Sequence, residues 1–154
     1  GVNCANGIMD GDELYIDCGG ANCPECEAIL TWKANGTTLV AEVSVTAELD
    51  GTTLNVGGLT ATGAGLALVL EQPITGWIDG AQVQCSMASG SSCSYADPAA
   101  NGYSTNFGGG VTVEISYIDP QPGGFVVGTF MGTVVGMTGE SMNIAQGAFQ
   151  MEIQ

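Results

Sequence analysis

The sequence predicts an all-β fold: an antiparallel β-sandwich, jelly-roll or immunoglobulin-like, of about nine or ten strands. Three observations carry this. Apolar and polar residues alternate with a period of two over several stretches, which turns one face of each segment inward. Glycine accounts for 25 of 154 residues and recurs in turn dipeptides such as Asn35-Gly36, Asp50-Gly51 and Asp79-Gly80. Long polar helix formers are scarce while Thr and Val are plentiful, so almost no helix is expected.

The elements follow in order. Residues 27–33 (EAILTWK) begin the apolar patterning, and Asn35-Gly36 turns the chain. Over 39–49, Leu39, Ala41, Val43, Val45, Ala47 and Leu49 share one face, opposite Glu42, Ser44, Thr46 and Glu48, which reads as one long half-buried strand. Asp50-Gly51 is placed as the two-residue hairpin turn, with 52–56 running back. In 59–71 Leu66, Leu68 and Leu70 point inward until Pro73 stops the strand, and Asp79-Gly80 joins 74–78 to 81–87 as a second hairpin. Residues 95–110 read as loop, 111–117 as strand, and 125–135 with 142–154 as the final pair. The last of these alternates Phe149, Met151 and Ile153 with Gln150 and Glu152, so it must be tied into a sheet or paired with another molecule.

Ahead of this lies a segment of different character, which divides the chain into a Cys-rich acidic module (1–27) and a β-domain (28–154). Residues 4–26, CANGIMDGDELYIDCGGANCPEC, hold four of the six cysteines, and with Glu27 six of the sixteen acids. They have no hydrophobic period and therefore read as loop. Setting Gly11 at the sharp turn of a calcium loop puts Asn6 at the first ligand position, Asp10 just before the glycine, Asp12 at the backbone-carbonyl position and Asp17 at the twelfth. Ile8 stands where a side-chain ligand is normal, which brings Glu13 or Asp12 in as direct ligands. Calcium is the expected cofactor, because Asp10, Asp12, Glu13 and Asp17 would otherwise repel one another round a tight turn. The competing readings are an acidic turn held only by disulfides, or zinc on Cys4, Cys18, Cys23 and Cys26.

An even cysteine count in a chain opening on Gly1 points to a processed, exported protein at the cell surface or beyond, with oxidised cysteines. Cys4, Cys18, Cys23 and Cys26 allow three pairings. Cys85 and Cys93 bracket a polar loop and suit a third disulfide. No stretch is apolar for the length of a membrane span.

Charge excludes further classes. Sixteen acids face a single basic residue, Lys33, with no Arg or His, for a net charge of −15. Nucleic acid and anionic membranes both require clustered Lys or Arg. His-based triads and His-ligated metal catalysis are impossible without His. Glu42, Glu48, Glu71, Asp79 and Glu114 are the carboxylates with strand or hairpin placement that a glycosidase would need, and each is better explained as the polar face of a strand. Trp32, Trp77, Tyr95 and Tyr103 are the aromatics available for stacking a sugar.

The pattern C-x-N-G-x-x-D-G-D-E-x-x-x-D-C-G-G-x-x-C-x-x-C over residues 4–26 resembles a short Cys-rich module of secreted bacterial surface proteins, itself similar to thrombospondin type 3 calcium repeats. From residue 103 onward, YSTNFGGGVTVEISYID, GTFMGTV and NIAQGAF resemble uncharacterised bacterial putative lipoproteins of β-sandwich type. The resemblance implies an exterior location more than an activity. The functional expectation is a non-enzymatic structural protein that associates into a homo-oligomer or homopolymer, with a calcium-stiffened head. The alternative is a module binding a surface glycan or other surface ligand through residues 95–110.

Overall fold

The computed structural model describes residues 4, 7–9, 15, 16, 18, 19, 23 and 26–154. Among them there is no helix. The ten strands are β1 (Ile29–Ala34), β2 (Thr37–Val40), β3 (Val43–Asp50), β4 (Thr53–Leu59), β5 (Gly65–Glu71), β6 (Gln82–Cys85), β7 (Ser92–Ala96), β8 (Gly102–Ile118), β9 (Phe125–Gly136) and β10 (Ser141–Glu152). All named neighbours pair antiparallel, in the order β2-β1-β10-β9-β8-β7-β5-β4-β3, with β6 beside β8.

The all-β antiparallel prediction therefore holds, but hydrogen bonds join the strands into one sheet curled as a half-barrel where two stacked layers were expected. The cause lies at Ala41 and Glu42. Ala41 donates its N–H to Leu30 on β1, whereas the next residue, Glu42, donates to Leu59 on β4. Two consecutive amides thus bond to β1 and β4, each one strand in from an opposite edge of the sheet, and bring its two ends together. At the other end of β3 a parallel bridge couples Ala47 to Ile153, and the Gln154 N–H reaches the Ala47 carbonyl. Leu30, Trp32, Leu54, Leu68, Leu70, Ile115, Phe149, Met151 and Ile153 fill the interior, each at most 1% exposed. The predicted inward positions Leu66, Leu68 and Leu70, and the alternating Phe149, Met151 and Ile153, are all buried.

The single long strand expected over 39–49 is broken into β2 and β3 by that change of partner. A bulge between Val43 and Thr46, with Ser44 at φ 53°, also reverses the alternation, so Val43 faces solvent opposite Leu59. The first hairpin turns on Gly51 and Thr52, one residue later than expected, because Asp50 pairs with Thr53. Residues 102–110, expected as loop, belong to β8. Between Ser104, opposite Val135, and Gly109, opposite Val134, four residues bulge out of the ladder. Gly109 (φ 76°) makes this possible, since a Cβ there would lie 2.4 Å from the Thr133 carbonyl oxygen.

In the Cys-rich segment the pairing left open by the spacing is Cys4–Cys23 and Cys18–Cys26. Tyr15 and Cys18 exchange backbone hydrogen bonds, and the Tyr15 ring packs on Tyr117 and Phe125 with centroid separations of 5.2 and 5.4 Å. Tyr15 is therefore seated on β8 and the start of β9.

Candidate functional site

Two rows of cross-strand partners on the outer face of β3, β4, β5, β7 and β8 carry little side-chain bulk apart from Val43 and Leu59 at one end. One row runs Val43, Leu59, Gly65, Ala96, Gly102, and the other Thr46, Gly57, Ala67, Ser94, Ser104. Small residues let the sheet surface sink. The result is a groove of about 760 Å³ that crosses the strands. Four inter-strand spacings of about 4.8 Å give it a length on the order of 19 Å.

Leu59 and Phe107, 44% and 49% exposed, form raised walls. Phe107 stands there because it lies in the β8 bulge, whose geometry is held by Ser104 and Thr105. The Ser104 hydroxyl accepts the Asn106 N–H at 3.1 Å, and the buried Thr105 hydroxyl accepts the Cys93 N–H at 3.0 Å. None of the lining residues is charged. The hydroxyls of Ser44, Thr46, Ser94, Tyr95, Tyr103 and Ser104 and the Asn106 amide are its polar side-chain groups.

Beside the groove, the loop between β7 and β8 is organised by Asp97. Its carboxylate accepts the Asn101 side-chain amide and the backbone N–H groups of Asn101 and Ala99 at 2.9–3.0 Å, and these bonds hold its pKa below the usual carboxylate value. Tyr95 and Tyr103 are stacked with centroids 6.0 Å apart. Burial, then the Asp97 carboxylate and the Tyr103 phenol, push the Tyr95 pKa up.

The residues singled out from the sequence fall elsewhere or outside the description. Asn6, Asp10, Asp12, Glu13 and Asp17, the expected calcium ligands, lie outside the described residues. Among the described residues no three His, Cys, Asp or Glu side chains gather into a metal-sized group. The expected third disulfide is not formed: Cys85 and Cys93 are separate buried thiols, each the partner of a different strand, Cys85 of Val111 on β8 and Cys93 of Leu68 on β5. Burial pushes the Cys85 pKa up to about 12 and that of Cys93 further, the latter also through the Cys85 charge.

Of the stacking candidates, Trp32 and Trp77 are core residues, and the Trp77 indole N–H donates to the Thr52 carbonyl at 3.1 Å. Only Tyr103 is half-exposed at the groove, and Phe107, which the sequence reading passed over, does more to shape it. Glu42, Glu48, Glu71, Asp79 and Glu114 are all exposed and lie outside the groove lining. Two of them have local structural partners: Glu71 accepts the Thr53 hydroxyl, and Asp79 accepts the Ile118 N–H at 2.9 Å. Lys33 is half-buried on β1 between Thr38 and Ala145. No helix among the described residues is long and apolar enough to cross a membrane. No family model, curated protein or solved structure matches this chain.

Proposed function

We propose that this chain is a non-enzymatic structural protein of the cell exterior, which self-associates and is stiffened at its head by disulfides and calcium. The observation that carries the reading is the groove. On a chain of net charge −15, copies repel one another, so contact between them requires a carboxylate-free apolar face, and the groove is one. Two disulfides within residues 4–26 support an oxidising compartment. Calcium on Asn6, Asp10, Asp12, Glu13 and Asp17 belongs to the same reading, as the ion that would neutralise the head's acids.

Sedimentation velocity and electron microscopy, with calcium and then with a chelator, test it. Ordered polymers that shorten or dissociate on chelation or disulfide reduction support the proposal. A strict monomer at millimolar calcium and high protein concentration rejects it.

A second reading has its own support. Tyr103 and Phe107 beside the hydroxyls of Ser94 and Ser104 and the Asn106 amide would suit a neutral glycan, by apolar contact with its rings and hydrogen bonds to its hydroxyls. Glycan-array binding lost on Tyr103→Ala or Phe107→Ala would favour it over self-association.

A further inference from the structure

Exposed large apolar side chains collect at the two opposite ends of β5. At its Gly65 end, along the groove, stand Val43, Leu59 and Phe107, 44–50% exposed. Past its Glu71 end the chain makes a tight turn, Pro73 to Gly76, closed by a 2.8 Å bond from the Gly76 N–H to the Pro73 carbonyl. Ile74 sits at the tip of that turn with relative exposure of 107%, about as open as a side chain can be. Ile78, 51% exposed, ends the same loop, and Trp77 anchors it through Thr52. Met87, 67% exposed, lies in the loop between β6 and β7, which is fastened at the same end by the Ser91 hydroxyl accepting the Glu71 N–H.

Burial of an aliphatic side chain is favourable, and a fully exposed Ile on a pinned turn has already lost much of the freedom that docking would cost. The stretch 72–78, QPITGWI, carries no charge, and neither does the groove lining. A four-residue turn spans less than about 7 Å, narrow beside a trough on the order of 19 Å long. The groove takes in residues 65–67 of β5, and residues 68–71, about 13 Å of strand, separate it from the pinned loop that carries Ile74, so the Ile74 turn cannot fold back into the groove of its own chain.

We infer that the Ile74 turn of one copy docks in the groove of the next, between Leu59 and Phe107. This contact rests on the self-association reading above and specifies its geometry. Two different surfaces meet, so the interface is heterologous and extends copies along the strand direction, making a filament unless the rotation closes a ring.

The test uses Ile74→Asp and Phe107→Asp, both at exposed sites, with unchanged thermal midpoints establishing that the fold is intact. Each variant alone is expected to raise the concentration needed for assembly at least about ten-fold, because each places a carboxylate in an apolar contact. Mixed one to one, the two variants should form a dimer and nothing longer, since one retains a working groove and the other a working knob. Assembly of either variant at the parent's threshold, or the absence of dimer in the mixture, overturns this contact while leaving self-association standing. A parent chain that stays monomeric overturns both.

Discussion

Phe149 on β10 lies across from Gly128 on β9, so close that a Cβ on the glycine would come within 2.5 Å of the phenylalanine ring. The relationship is reciprocated two positions along: Phe130 on β9 faces Gly147 on β10, where a Cβ would be 2.4 Å from its ring. The two rings then meet each other at 6.2 Å. Each aromatic covers a glycine on the neighbouring strand, which shields backbone that glycine would leave open and gives the ring a flat seat.

Gly128→Ala and Gly147→Ala are expected to destabilise the fold by about 1–3 kcal/mol each, as over-packing does in a filled core. Adding Phe149→Leu to Gly128→Ala should recover part of the loss. Urea denaturation of the two single variants and the double variant measures the coupling, and strict additivity would show that the ring and the glycine do not interact.

Gly109→Ala should be at least as costly as an ordinary over-packing change, about 1–3 kcal/mol, since the added methyl meets backbone at a left-handed φ. The bulge that displays Phe107 would be the part to move. Denaturation gives the magnitude, and NMR shifts of Asn106, Phe107 and Thr133 locate the change.

The buried thiols make stability depend on alkaline pH. Both pKa values are raised in the fold, Cys85 to about 12, so the folded state favours the protonated thiol. Their contribution is complete below the unfolded thiol value, about 8.5, and is lost as pH rises from there toward the folded values. Thermal midpoints should therefore fall between about pH 9 and pH 12. Replacing both cysteines by Ala should flatten that decline, and alkylation without reduction should label Cys85 and Cys93 only after denaturation.

Acid acts on the Asp97 loop beside the groove. The Asp97 pKa is lowered first by the Asn101 side chain, so the loop's stabilisation is present above the ordinary carboxylate value and disappears as pH falls through the lower folded one. A carbon-detected titration should place the Asp97 midpoint below that of a free Asp. Asn101→Ala should raise it.

Reduction, and on the calcium proposal chelation, should loosen the head and leave the sheet folded, because its buried core contains neither N-terminal disulfide. Limited proteolysis should then cut within residues 4–26 while β1 to β10 stay intact. Tyr15→Ala should have a related effect through loss of its stacking on Phe125 and Tyr117, worth about 0.5–1.5 kcal/mol beyond the area it buries.

The sequence alone determined the all-β class and the inward faces of β5 and β10. Both are written in local periodicity or composition: Leu66, Leu68 and Leu70 alternate, as do Phe149, Met151 and Ile153, and glycine-rich turn dipeptides separate the strands. Tertiary structure alone decided how the strands close. Whether Ala41 and Glu42 continue one strand or bond to strands at opposite ends of the sheet depends on where Leu30 and Leu59 lie, which no local pattern records. The groove was illegible for the same reason. Gly57, Gly65, Ala96 and Gly102 are unremarkable along the chain and become a floor only when register sets them side by side. Phe107, in a glycine-rich stretch that reads as loop, becomes its wall because the β8 bulge turns it outward.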